Sequence, residues 1–140
     1  MGGSQTERSL DLDLPAVAAS CPRARHAVRE ALAGVAVEMA AVDLAVSEAV
    51  TNVVVHAYRD RGPEDEPGRV RIAVRIEDRA AWVVVADDGV GMAPRMDSPG
   101  LGMGLSLIAS VCDGLEIEQR HDGTRVHMRF TLGGGAATME

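Results

Sequence analysis

Residues 43–58 read DLAVSEAVTNVVVHAY, and the fold turns on how this stretch is read. At helical spacing Glu48 and Asn52 stand one turn apart and His56 one turn further, with Thr51 beside them. Val46, Val50, Val53, Val54 and Ala57 fall elsewhere around the helix. So apolar a helix is expected to be buried against a sheet. A carboxylate and an amide carried into that interface cost several kcal/mol unless they find partners, roughly 2–7 for an unpaired amide alone. The partner this predicts is a metal ion or a ligand.

Downstream, residues 59–68 (RDRGPEDEPG) are dense in Gly, Pro and charge and mark an exposed loop. Residues 69–77 alternate Val70, Ile72, Val74 and Ile76 with arginines, predicting a strand with one face in the core and one in water. Asp78 and Arg79 make a tight turn. Residues 80–87 (AAWVVVAD) are more continuously apolar, so this strand belongs in the sheet interior, with Trp82 packing in the core or at an edge.

That strand runs directly into DDGVGM, residues 87–92. An Asp-Gly pair can be no more than a turn. It also has a chemical reading, because an Asp held at the end of a central strand can accept a hydrogen bond from an exocyclic amine, while Gly89 and Gly91 let a flat ring approach the backbone. An EF-hand is excluded, since the later acidic ligands are missing. After a short loop at 93–99, GLGMGL at 100–105 opens an apolar helix. Gly100, Gly102 and Gly104 leave several N–H groups unobstructed at a helix N-terminus, where the dipole favours an anion, which reads as a phosphate cradle. Taken alone, the glycines also suit a hinge or a helix cap. The spacing matches neither the dinucleotide fingerprint nor a Walker loop. Residues 115–119 and 125–131 form a hairpin around HDGT, and Thr124 starts the last strand beside the place where DDGVG should lie.

Upstream, residues 9–14 alternate Leu10, Leu12 and Leu14 with Asp11 and Asp13, an edge strand with a solvated acidic face. A helix follows, with Ser20 as its cap, Pro22 in its first turn and a stop near Gly34. Arg23, Arg25 and Arg29 along it form either a solvated face or a basic patch for an acidic protein partner. The 140 residues, 46% hydrophobic and 25% charged, suit one globular domain. A net charge of −7, with one Trp, one Tyr and one Phe, argues against nucleic acid and anionic membrane surfaces as partners. Cys21 and Cys112 lack zinc or redox spacing and read as buried free thiols. No apolar leader precedes the domain, and a cytoplasmic protein is expected.

In this order and spacing, Glu48 and Asn52 (ExxxN), residues 87–91 (DxGxG), residues 100–104 (GxGxG) and the Gly123-Thr124 pair resemble the four boxes of the Bergerat-fold (GHKL) ATPases. SEAVTNVVVHAY and the final GTRVHMRF strand resemble the bacterial anti-sigma factor serine/threonine kinases. The likeness covers residues 9–132, leaving 1–8 and 133–140 as flexible ends. It implies an α+β, two-layer α/β sandwich, a mostly antiparallel sheet with helices on one face. ATP would lie between sheet, central helix and a lid shorter than in the best-known members. By this resemblance Asn52 would coordinate magnesium and Asp87 would accept from the adenine amine, with Gly89 and Gly91 beside the ring. Gly100, Gly102, Gly104 and Leu105 would hold the phosphates. Thr124 would reach adenine through water, and His56 would line the same site. Glu48 would be the general base for a partner's Ser or Thr hydroxyl. The implied role is stress-responsive transcription control, in which a homodimeric kinase phosphorylates a STAS-domain anti-sigma antagonist and sequesters a sigma factor. A non-catalytic ATP-binding partner switch is the alternative. A histidine-kinase catalytic domain fits less well, because it needs no base at Glu48.

Overall fold

The computed structural model describes residues 9–89 and 101–133, the first three of the latter by backbone alone. The expected lid, Gly91, Gly100 and, apart from Gly133, the ends expected to be flexible (1–8 and 133–140) lie outside the described residues. Five strands, β1 (Ser9–Pro15), β2 (Arg69–Glu77), β3 (Ala80–Asp87), β4 (Gly114–Arg120) and β5 (Gly123–Thr131), form one sheet in the order β1-β2-β3-β5-β4. Every neighbouring pair is antiparallel. The helices are α1 (Ser20–Ala31), α2 (Met39–Asn52) and α3 (Leu101–Val111).

Period-2 alternation decides which side of the sheet the helices cover. Val70, Ile72 and Val74 of β2, Val83 and Val85 of β3, and Val126 and Met128 of β5 are buried with Val28 of α1, Val42, Val46 and Val50 of α2, and Ile108 of α3. This is the expected α+β two-layer sandwich. As anticipated, β1 is an edge strand, β3 is central, and Asp78 and Arg79 turn between β2 and β3 with φ of 54° and 64°. The run Met39–Ala57 is long and apolar enough to cross a membrane by composition, yet its apolar face is spent on this core.

Several local expectations change. The central helix starts at Met39, four residues before the quoted stretch, and its α geometry ends at Asn52, giving way to a π-helical turn at Val53–Ala57. Three consecutive valines, stiff at χ1, crowd that last turn. His56 therefore does not continue the Glu48 and Asn52 line at ideal α spacing. Ser20 is the first helical residue and not the cap; its hydroxyl donates to the Pro15 carbonyl at 2.6 Å, tying α1 back to β1. Gly102 and Gly104 lie inside the first turns of α3, not ahead of it. Both thiols are half-buried, not buried. Trp82 pairs across the ladder with Arg75 and Arg129, outside the core, on the sheet face turned away from the helices, and the Arg129 guanidinium lies 6.0 Å from its ring centre. The arginine patch of α1 is largely engaged within the fold: Arg29 pairs with Asp43 of α2, and Arg25 donates to Ser47 Oγ at 3.2 Å. Arg23 stays exposed beside a groove between α1 and β1.

Candidate nucleotide site

The site is assembled where the end of β3 meets the start of β5 and the C-terminal half of α2. Asp87 and Thr124 are direct cross-strand partners, so their side chains leave the sheet on the same, helix-covered face. Both are buried, with 3% and 2% of their surface exposed. Asp87 Oδ1 accepts the Gly89 N–H at 2.8 Å, but among the described residues Asp87 Oδ2 and Thr124 Oγ1 have no hydrogen-bond partner. Two buried oxygens left unsatisfied on one rung are costly, about 1–3 kcal/mol each, and native structures keep such groups for a reason. Burial pushes the Asp87 carboxyl above its ordinary value, with backbone hydrogen bonds from Gly89 and Thr124 pulling the other way.

Three glycines bring the separate motifs together. A Cβ on Gly123, whose φ is +145°, would fall on the Asp87 carbonyl. One on Gly89 would fall on the Ala57 carbonyl at the end of the central helix. One on Gly104 would stand 3.1 Å from Asn52 Oδ1 and 3.4 Å from Glu48 Oε1. The absence of side chains thus lets the strand end, the last hairpin and α3 close on α2. Asn52 is buried, 6% exposed, while Glu48 is half-buried and so open to solvent or a partner. Leu105 and His56 are half-buried on α3 and the π-helical turn, and Gly102 is in the first turn of α3.

Sequence reasoning missed Tyr58, Arg71 and Asp88. The Asp88 carboxylate takes two hydrogen bonds from Arg71, at 2.9 and 2.7 Å, and its amide donates to the Tyr58 hydroxyl at 2.9 Å. The guanidinium holds Asp88 below the ordinary carboxylate value, the opposite of its neighbour Asp87. No spacing rule points to Arg71, because its partnership arises only from the β2–β3 register.

The model of the histidine kinase-like ATPase domain matches residues 14–130, which takes in all three helices and β2 to β5 except Thr131. The chain belongs to this family. It is 36% identical over 107 residues to the anti-sigma F factor of Clostridium novyi, covering 68% of this chain and 72% of that one. It is 31% identical over 104 residues to the anti-sigma F factor of Bacillus licheniformis, covering 65% and 68%. Among solved structures, a Mycobacterium tuberculosis chain containing RsbU and RsbW domains superposes with a TM-score of 0.68 at 23% identity, over 89% of this chain and 32% of that chain. The histidine kinase domain of a blue-light activated histidine kinase from Erythrobacter litoralis gives 0.60 at 22% identity, over 88% and 64%. These likenesses establish the fold, and the sequence relatives place the chain beside the anti-sigma F factors within its family.

Proposed function

We propose that this member of the histidine kinase-like ATPase family is an ATP- and magnesium-dependent serine/threonine protein kinase that serves as an anti-sigma factor. It phosphorylates a STAS-domain antagonist and alternately holds a sigma factor or related regulator, in the cytoplasm and as a homodimer. The observation that carries the nucleotide reading is the orphaned pair, Asp87 Oδ2 and Thr124 Oγ1, buried on one rung beside the central helix. An acceptor and a hydroxyl kept dry and unpartnered suit an aminopurine, whose exocyclic amine donates to Asp87, with Thr124 reaching the ring through water. The anti-sigma part of the reading draws on the relatives' names, and the kinase part on the resemblance of SEAVTNVVVHAY and GTRVHMRF to the anti-sigma factor serine/threonine kinases.

Bound ATP with magnesium would supply the transferable phosphoryl group and neutralise its developing charge. The buried Asn52 amide, left open by Gly104, is suited to hold the metal through Oδ1, with Gly102, Gly104 and Leu105 presenting the start of α3 to the phosphates. Glu48, one turn before Asn52 and half-buried, is placed to take the proton from a partner's hydroxyl. His56 lines the end of the same helix. Incubating the protein with labelled ATP, magnesium and a STAS-domain protein tests the whole reading. Label should pass to a Ser or Thr of the partner. Nucleotide-dependent binding of the partner with no transfer would instead establish the non-catalytic switch.

A further inference from the structure

We infer that the hydroxyl of Tyr58 acts as a strut that fixes the adenine-reading carboxylate of Asp87, making Tyr58 a positioning residue for base discrimination. The inference rests on the nucleotide reading above. The β2–β3 ladder has its last pair at Val70 and Asp87, and continuing the register would bring Arg69 opposite Asp88. The Tyr58 hydroxyl mediates that next rung: it accepts the Asp88 N–H at 2.9 Å and donates to the Arg69 carbonyl at 2.6 Å. A single oxygen thus satisfies one backbone donor and one backbone acceptor that the diverging strands present at this point.

The phenol can reach this place only because the chain clears space around it. A Cβ on Gly68 would overlap the Tyr58 ring, and one on Gly89 would overlap the Ala57 carbonyl, one residue before Tyr58. The end of the central helix is therefore pressed against both the entry to β2 and the exit of β3. The Arg61 guanidinium lies 5.0 Å from the ring centre on the loop side. Burial raises the phenol above its ordinary value of 10.0, so the hydroxyl, protonated at neutral pH in any case, donates to Arg69 over a wider alkaline range. Asp88 is held a second time through its carboxylate by Arg71.

The consequence concerns the residue before it. Asp87 Oδ1 is fixed by the Gly89 N–H, two residues on, and the path from Asp87 to Gly89 passes through the Asp88 amide that Tyr58 holds. Removing the hydroxyl frees that path and lets Oδ2 drift from the one direction in which an amine can donate to it. A displacement well under 1 Å suffices to weaken a hydrogen bond whose angle matters. The phosphate-holding end, on α2 and α3, would not feel the change.

The experiment compares ATP with purine riboside triphosphate, which lacks the 6-amine, binding to the parent and to Tyr58→Phe by calorimetry. The parent should favour ATP. In Tyr58→Phe the preference should shrink about tenfold, through weaker ATP binding alone, with affinity for the amine-free nucleotide held within about twofold. Equal losses for both nucleotides, or no loss for either, would overturn the inference while leaving the site standing. A parent that does not discriminate would overturn the adenine reading, and the inference with it. Because the chain has a single tyrosine, uniform 3-fluorotyrosine labelling reports on Tyr58 without substitution. Its fluorine resonance should move with ATP more than with the amine-free nucleotide, and an identical shift for both would count against the strut even if Tyr58→Phe fails to fold.

Discussion

The two ends of the candidate site are built from different materials. At one end Asp87 and Thr124 are set on adjacent central strands, fully buried, with their positions fixed by ladder hydrogen bonds on both sides. At the other, Glu48 and Asn52 ride one helix against the first turns of another, and the carboxylate is half-buried. The sheet end keeps two oxygens buried and, among the described residues, unpaired, which no flexible element could sustain, since a small rotation would find water. The helix end keeps its carboxylate within reach of solvent, as the proposed base for a partner's hydroxyl requires. Rigid unsatisfied groups suit recognition of an invariant ring; accessible ones suit transfer.

The largest expected effect lies at the helix end. Glu48→Gln keeps shape and polarity, so ATP binding should persist while transfer to a partner Ser or Thr falls roughly 10²–10⁴-fold in single-turnover measurements. Asn52→Ala should lower binding and transfer together, because it removes the proposed metal ligand and leaves a void against Gly104. If Glu48→Gln leaves transfer untouched, the helix end does not act as a base.

At the sheet end the expected effect is smaller and splits function from stability. Asp87→Asn places a donor opposite the adenine amine and should weaken ATP binding by about 2–3 kcal/mol. Without nucleotide the variant should be at least as stable as the parent at neutral pH, because a buried charge has been removed. The sign follows from the raised carboxyl value. Between its ordinary 3.8 and that raised value the folded state binds more protons than the unfolded chain, so Asp87 lowers stability as pH rises through this window. The advantage of Asp87→Asn in urea unfolding should therefore shrink as the solution is acidified. An advantage that grows on acidification would contradict the burial assignment.

Much of this architecture is legible in the sequence. β2 and β3 were read with their observed limits, because strict alternation in the first and a continuous apolar run in the second have few alternative readings. Thr124 is expected at the start of the last strand beside DDGVG, and the register makes it the direct partner of Asp87. The π-helical turn was not legible, since a periodic pattern shows which residues are apolar and not where three valines loosen the helix. Ser20 misled for a related reason: a hydroxyl before a helix has two backbone acceptors or donors to choose from, and tertiary context chose the Pro15 carbonyl. Tyr58, Arg71 and Asp88 escaped because their contacts span 11 to 30 residues and depend on the β2–β3 register and on where the end of the central helix meets it.

The smallest expected effect separates the two neighbouring aspartates. The Arg71 and Asp88 side chains are 41% and 55% exposed, so despite two good hydrogen bonds their pair should contribute no more than about 1 kcal/mol. Asp88 is held low, so that contribution is present above its ordinary value of 3.8 and is lost as pH falls through its lowered one. Arg71→Met should remove it, flattening the stability profile below pH 3.8, the reverse of the window in which Asp87→Asn acts. The substitution also strips away the cation that offsets the Asp88 charge beside Asp87, whose carboxyl should then rise further. Carboxyl titration by NMR in the Arg71→Met protein should show Asp88 moving up toward its ordinary value and Asp87 moving further from it. An Asp87 carboxyl that stays in place while Asp88 rises would mean that the Arg71 cation does not reach Asp87 and that burial alone sets its elevation.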